Sequence, residues 1–370
     1  MFRVGRNRRL LLLLLVAVAL IVIAAYHKYN ARPVPSSFHG IPLAVLGDSD
    51  SHIYRDPVNR IKRGGLYHQV TYQWTELLDA LRPGIFELGE KETWGSLSKV
   101  AELRRFFGLS AKTPPKNDYK YNYAFSGLKC ASLLHEWPRQ AYWLLGEISH
   151  DRGWSRGVVV IRIGINDIGQ INHLQEYAEK GITEEVRQRV ESCTQHIADT
   201  VQAIRKANDS IRIVLVGIAD NSDFPSDKKM RFSSKEKIAI RSVLDMIDTL
   251  LKDIVAHDDN AVFMDDHLWL RRYWPERKGG SAEESFELSL GGLVGVTKTW
   301  GDHPRNLVLA DGHAGTVANG LWVRELIALL NNRFGFNIPP LLDEEIAALA
   351  DPHGEYGIAP AVRSRAREFR

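Results

Sequence analysis

Four short segments of the 370-residue chain carry residues able to do acyl-transfer chemistry. The first is Leu43-Ala44-Val45-Leu46-Gly47-Asp48-Ser49-Asp50-Ser51. Here an apolar run ends in a glycine that permits a sharp exit, and Ser49 follows at once. A serine hydroxyl in that position is a candidate nucleophile when a base stands nearby. Ser51 is a rival without the Gly-Asp lead-in. The second segment, Gly164-Ile165-Asn166-Asp167, offers the Asn166 amide as a hydrogen-bond donor to a developing oxyanion. The third is Asn122-Tyr123-Ala124-Phe125-Ser126-Gly127, read as leading into a helix. Gly127 lets its backbone N–H come close to a ligand, and the helix start favours negative charge. The fourth, Leu309-Ala310-Asp311-Gly312-His313, puts a candidate general base beside a carboxylate able to orient it. Asp302 is the reserve acid and His303 the reserve base. Each segment alone is also a plain turn.

These residues need a frame that brings distant segments to one edge. Ile41–Leu46, Val158–Ile163, Ile211–Gly217 and Ala261–Met264 are short apolar runs, as strands covered on both faces require. Tyr119–Phe125 reads as a further short strand. Between them, Tyr67–Leu81, Leu128–Ile148, Glu184–Lys206, Ser234–Val255 and Thr316–Asn331 have helical periodicity, the first stopped by Pro83-Gly84. Residues 85–118 read as irregular. The alternation predicts an α/β protein with helices on both faces of a parallel sheet, whose strands all deliver their carboxyl ends to one edge. Residues 266–310, rich in Gly, Trp and charge, read as a substrate-side loop region in which Trp269, Tyr273, Trp274 and Trp300 are candidates for a sugar-stacking platform.

With those blocks in this order, residues 41–331 resemble the SGNH hydrolases of the GDSL-like esterase/lipase superfamily. The resemblance implies a three-layer α/β/α flavodoxin-like fold. It further implies Ser49 as nucleophile, His313 as base, and Ser49, Gly127 and Asn166 as the oxyanion hole, with no cofactor or metal. Asp311 is the implied orienting acid, but it stands two residues before His313 where the family usually has three. The expected reaction is deacylation of a polar or carbohydrate ester. The runner-up is a membrane-anchored O-acyltransferase acting on cell-envelope polysaccharide with the same serine chemistry.

Outside that core, residues 1–9 are a basic stub, and Leu10–Ala25 is an unbroken apolar run. Residues 10–26 therefore read as a signal anchor, or as a signal peptide cleaved near Val22-Ile23-Ala24, with everything later outside the cytoplasm. Residues 27–40 are a linker and 332–370 a tail, with a short helix at Leu341–Leu349 and an arginine-rich end. The net charge is +3, yet residues 1–32 carry +6 and residues 359–370 carry +3, leaving −6 for the body. An acidic body does not track a phosphate backbone, so nucleic acid is not an expected partner. A substrate ester and, through the N-terminal helix, a membrane are. Cys130 and Cys193 are the only cysteines, and in an exported chain a pair invites a disulfide. Against that, Val186, Val190, Cys193, Ile197, Val201 and Ile204 form one helical stripe, so Cys193 reads as a small buried hydrophobe without redox chemistry. A metal-dependent alternative would draw on Asp48, Asp50, Asp265, Asp266 and His267, which have no recognised ligand spacing. A fold retained only for binding is the remaining rival.

Overall fold

The computed structural model describes residues 38–106, 112–222, 232–273, 287–292 and 294–355. The basic stub, the apolar run, Trp274 and the arginine-rich end lie outside the described residues. Among the described residues, no helix is long and apolar enough to cross a membrane.

In chain order the strands are β1 Ile41–Gly47, β2 Phe86–Glu87, β3 Lys91–Trp94, β4 Lys116–Tyr119, β5 Val158–Arg162, β6 Arg212–Val216, β7 Ala261–Met264, β8 Glu287–Leu290, β9 Val294–Trp300 and β10 Asn306–Val308. Five of them form the central sheet, in the order β2-β1-β5-β6-β7, with every pairing parallel. That is the flavodoxin-like order, and the direction of winding reverses beside β1, between β2 and β5. An open parallel sheet leaves a crevice at that reversal, beyond the carboxyl ends of its strands.

The apolar runs divide cleanly between two layers. Leu43, Val45, Val158, Val160, Val214 and Val216 face one side, with Trp74 and Trp322 from the helices Trp74–Leu81 and Thr316–Phe334. Their alternates Ala44, Leu46, Val159, Ile161, Ile213 and Leu215 face the other, under the helices Gln140–His150, Glu184–Ala207 and Ser234–Val255. The period-two alternation of a strand makes every residue of such a run a core residue.

Several expectations need correction. The helix expected at Leu128–Ile148 begins only at Gln140. A short 3-10 turn at Cys130–Leu133 precedes it, and Pro138 with left-handed Arg139 (φ 60°) breaks the backbone between them. The helix expected from Tyr67 starts at Trp74, where Gln73 and Glu76 form a capping box. Residues 85–118, read as irregular, hold β2, β3, the helix Ser98–Phe106 and most of β4. The strand expected at Tyr119–Phe125 does not form: Tyr119 ends β4, and beside β1 there is only an isolated bridge of Asn122 to Val45, with Val45 N–H donating to Tyr121 O (3.0 Å) and Tyr123 N–H to Val45 O (2.8 Å). The 266–310 segment is not all loop, since it contains the helix Asp266–Tyr273 and the three-stranded sheet β8–β10. The helix Asp343–Ala350 buries Ile346 and Leu349 in the same core as Leu326, so the packed body runs past residue 331. Cys130 and Cys193 are joined in a disulfide. Cys193 does lie on the buried stripe, but the stripe explains only its burial.

Candidate active site

β1 ends where Gly47 presses against β5. A Cβ at 47 would sit 2.5 Å from Arg162 O, so only glycine fits this close approach. The buried Gln140 side chain holds the strand end from the other layer, accepting from Gly47 N–H at 2.7 Å and donating to its carbonyl at 2.8 Å. The chain then turns, with Ser51 and His52 N–H donating to Asp48 O, and Ser49 stands at the turn, 9% exposed. Asp48 is buried and accepts from Asp50 N–H at 3.0 Å. Burial, and then the charge of Asp50, push its carboxyl well above the usual range. Ser51 is fully buried, its hydroxyl accepting from Trp74 Nε1, which removes it as a rival nucleophile.

A cleft of about 610 Å³ opens in front of Ser49, and its wall includes Asn166, Arg162, Trp300, Asp311 and His313. Residues from β1, β5 and the segment before the last long helix therefore meet at the sheet edge, as the sequence blocks predict. Asn166 lies in the turn Ile165–Gly169 that follows Gly164 (φ 119°). Its amide donates to Leu128 O at 2.8 Å and accepts from Gln170 Nε2 at 2.9 Å. An NH₂ group has two donors, so one remains for a ligand. Gly127 is different. It is exposed, with φ 83°, and nothing lies within 4 Å of where a Cβ would stand. It is not part of the cleft wall around Ser49. Without a helix directly behind it, the expected helix-dipole contribution at Gly127 is absent.

The Asp-Gly-His spacing works through a turn. Gly312 takes φ 89°, and Leu309 N–H donates to His313 O at 2.7 Å. This folds Asp311 back so that its Oδ2 is 3.0 Å from His313 Nδ1, though off the line a good hydrogen bond prefers. Asp302 instead accepts from Ala310 N–H at 3.1 Å, and His303 packs against Tyr67. Neither reserve residue belongs to the cleft.

Three residues here were not singled out from the sequence. Arg63 Nε donates to Asp311 Oδ2 at 2.8 Å and its Nη2 to His313 Nε2 at 3.1 Å. Burial opposes ionisation of Asp311, but His313 and Arg63 outweigh it and hold the carboxyl below its usual range. Arg162 forms a fixed positive wall, with Nη2 3.1 Å from Asp266 Oδ2 and its guanidinium 4.5 Å from the Trp322 ring. Trp322 Nε1 donates to the other Asp266 oxygen at 2.7 Å. Burial raises Asp266 to about 6 despite Arg162. An arginine inside the run Val158–Ile163 was the available signal. The third is His52, fully buried beside Asp56. Its Nε2 is 2.9 Å from Asp56 Oδ2, and its Nδ1 accepts from Ser126 Oγ (3.1 Å) and Ser126 N–H (3.3 Å). It thereby fixes the loop that carries Gly127.

Of the tryptophans and tyrosine expected to stack sugars, Trp269 is buried and Trp300 is 43% exposed, both on the cleft wall. Tyr273 instead bonds Glu325. The acidic cluster of the metal-dependent reading is split: Asp48 and Asp50 flank Ser49, Asp266 pairs with Arg162, and Asp265 and His267 stand with Asp248 elsewhere.

No family model and no curated protein sequence gives a significant match. Solved structures similar to this chain include an extracellular lipase from Streptomyces rimosus, at 15% identity over 63% of this chain and 83% of that one, with a TM-score of 0.34. A carbohydrate esterase family 3 protein from Talaromyces cellulolyticus matches at 13% identity over 79% and 99%, TM-score 0.37. A Clostridium thermocellum family 3 carbohydrate esterase matches at 12% identity over 79% and 98%, TM-score 0.33.

Proposed function

We propose that this chain is a serine ester hydrolase of the SGNH type, acting outside the cytoplasm on a polar or carbohydrate ester and held at a membrane by residues 10–26. The observation that carries the reading is the convergence of Ser49, Asn166, Asp311 and His313 on one cleft at the carboxyl edge of the sheet. In this reading Ser49 Oγ attacks the acyl carbonyl as His313 Nε2 takes its proton. The free Asn166 N–H steadies the oxyanion, joined by the Ser49 backbone N–H. Gly127, which lies outside the cleft wall, is left out of this donor set. His313 returns the proton to the departing alcohol. Water, activated by the same imidazole, then cleaves the acyl-enzyme to the free acid.

An open cleft edged by the half-exposed indole of Trp300 and the guanidinium of Arg162 suits a polar acyl carrier better than a long acyl chain. The test is fluorophosphonate labelling of the purified chain with mapping of the modified peptide, alongside turnover of acetylated sugars and of short and long aryl esters. Label on Ser49, with acetyl-sugar turnover abolished in Ser49→Ala, is expected. Full turnover by Ser49→Ala would overturn the reading. Acetyl transfer to an added sugar in preference to water would reassign the same serine to acyl transfer.

A further inference from the structure

The turn after β7 sends its side chains two ways. Asp266 points to Arg162 and Trp322. Its neighbours Asp265 and His267 meet Asp248, which projects from the helix Ser234–Val255. One ligand-type atom from each of these three lies within 4.8 Å of the other two. None of the three lines the Ser49 cleft.

Two of these side chains are deeply buried, 4% exposed for Asp248 and 6% for His267. Each keeps a polar atom with no hydrogen-bond partner, Oδ1 of Asp248 and Nε2 of His267. A buried polar atom left unpaired costs about 1–3 kcal/mol, and Oδ1 of Asp248 belongs to the carboxylate that faces His267, so a ligand held by both oxygens of that carboxylate would satisfy it. Gly217, just past β6, adds a third observation. A Cβ there would lie 2.7 Å from Asp248 Oδ1 and 2.9 Å from Phe263 Cζ, so the glycine keeps the space beside the unpaired oxygen clear.

We propose that Asp248, Asp265 and His267 bind a divalent transition-metal ion of the zinc class, which ties the helix Ser234–Val255 to the turn after β7. The donor set selects the class. Calcium and magnesium prefer oxygen-only shells, whereas one imidazole with two carboxylates suits zinc and its first-row neighbours. Bonds of about 2.0–2.2 Å place two ligands of a tetrahedral zinc about 3.4 Å apart. His267 Nδ1 and Asp248 Oδ2 stand 3.5 Å apart. A direct acid–imidazole hydrogen bond between the same two atoms would leave Oδ1 unpaired, whereas an ion can take both oxygens of the Asp248 carboxylate. The competing cation is Lys252, whose Nζ is 3.7 Å from Asp265 Oδ2 and 4.8 Å from the Phe263 ring centroid. Arg241 and Arg271 are directed to Asp220 instead. The role is structural, because none of the three ligands lines the Ser49 cleft.

The test is calorimetric titration of the chelator-stripped full chain with zinc, and absorption spectroscopy with cobalt as a reporter of coordination. Saturable one-to-one uptake with a tetrahedral cobalt spectrum is expected, together with a rise in Tm. Asp248→Asn and His267→Gln should each weaken uptake by about tenfold or more, while Lys252→Met should equal or exceed the parent. Asp265→Asn, at a less buried ligand, supplies the loss-of-binding arm if either buried variant fails to fold. Fluorophosphonate labelling in each variant reports folding separately from metal uptake. No saturable uptake by the parent chain, uptake unchanged in the ligand variants, or calcium binding as tightly as zinc would overturn the proposal.

Discussion

Arg63 Nη2 stands 3.1 Å from His313 Nε2, the ring nitrogen that must accept a proton from Ser49 if the serine is to attack. Because guanidinium only donates, Nε2 is the unprotonated nitrogen and the proton sits on Nδ1, facing Asp311. The base is thus in the correct tautomer, but its lone pair is engaged. Ser49 has no hydrogen bond to it. Removing Arg63 frees that lone pair. A charged hydrogen bond of about 1.5 kcal/mol held in the resting state corresponds to roughly tenfold in rate. Arg63→Met is therefore expected to raise the rate of Ser49 phosphonylation several-fold. A slower rate would mean that Arg63 chiefly serves to hold Asp311 in place.

Asp311 and Asp302 make a sharper pair. Only Asp311 touches His313, through Oδ2 at 3.0 Å from Nδ1 and through Oδ1, which accepts His313 N–H at 3.2 Å. Asp311→Asn is expected to lower kcat by about 10²–10⁴-fold with little change in KM, because the amide favours the wrong tautomer. Asp302→Asn should leave kcat within about threefold, since it removes only a backbone contact to Ala310. Steady-state kinetics on one acetyl ester separates them, and equal losses in both variants would reject the assignment.

What the sequence showed and what it hid follow from range. Ser49 and Asn166 each come directly after a strand that is apolar throughout, so the sheet edge they share could be inferred before any contact was known. His313 was legible for a similar reason, standing just before the last long helix. Arg63 was not, since its partner lies 250 residues away and no periodicity marks an arginine in a loop. The same holds for His52, whose bond to Ser126 spans 74 residues. The expected helix through Leu128–Ile148 failed because apolar spacing alone does not register the break at Pro138 and Arg139. At Gly127 that error carried into function, by supplying a helix start that is not there.

His52 gives the pH prediction. Burial lowers its pKa below the ordinary 6.5, outweighing Asp56 and Asp118, while the Lys116 charge adds to the lowering. The folded protein therefore binds this proton less readily than the unfolded chain. Stability from a neutral His52 is fully present above about pH 6.5 and is lost as pH falls below that value. Asp56, lowered to about 2 by its bonds to His52, Asn59 and Asn117 despite its burial, adds a second loss below about pH 4. A protonated His52 Nδ1 could no longer accept from Ser126, so the Gly127 loop should loosen in the same window. Urea midpoints between pH 7.5 and 5 should fall more steeply for the parent than for His52→Gln. Parallel slopes would remove His52 as the cause.

The Cys130–Cys193 disulfide closes a span of 63 residues and joins the segment after Gly127 to the helix Glu184–Ala207. On the chain-entropy account a loop of that size contributes about 4 kcal/mol. Its position makes the effect more than a matter of stability. Cys130 N–H donates to Asp167 Oδ2 at 3.0 Å, and Leu128 O takes one donor of Asn166, so the bridge braces the turn that carries Asn166, the proposed oxyanion donor. Cys130→Ala/Cys193→Ala is therefore expected to lower Tm by several degrees and kcat by roughly tenfold, with KM less affected. The two effects can be told apart by assaying kcat at a temperature where both proteins are fully folded by circular dichroism. If kcat then matches the parent, the disulfide supports the fold alone, and Asn166 is held in place by Leu128 and Gln170 without it.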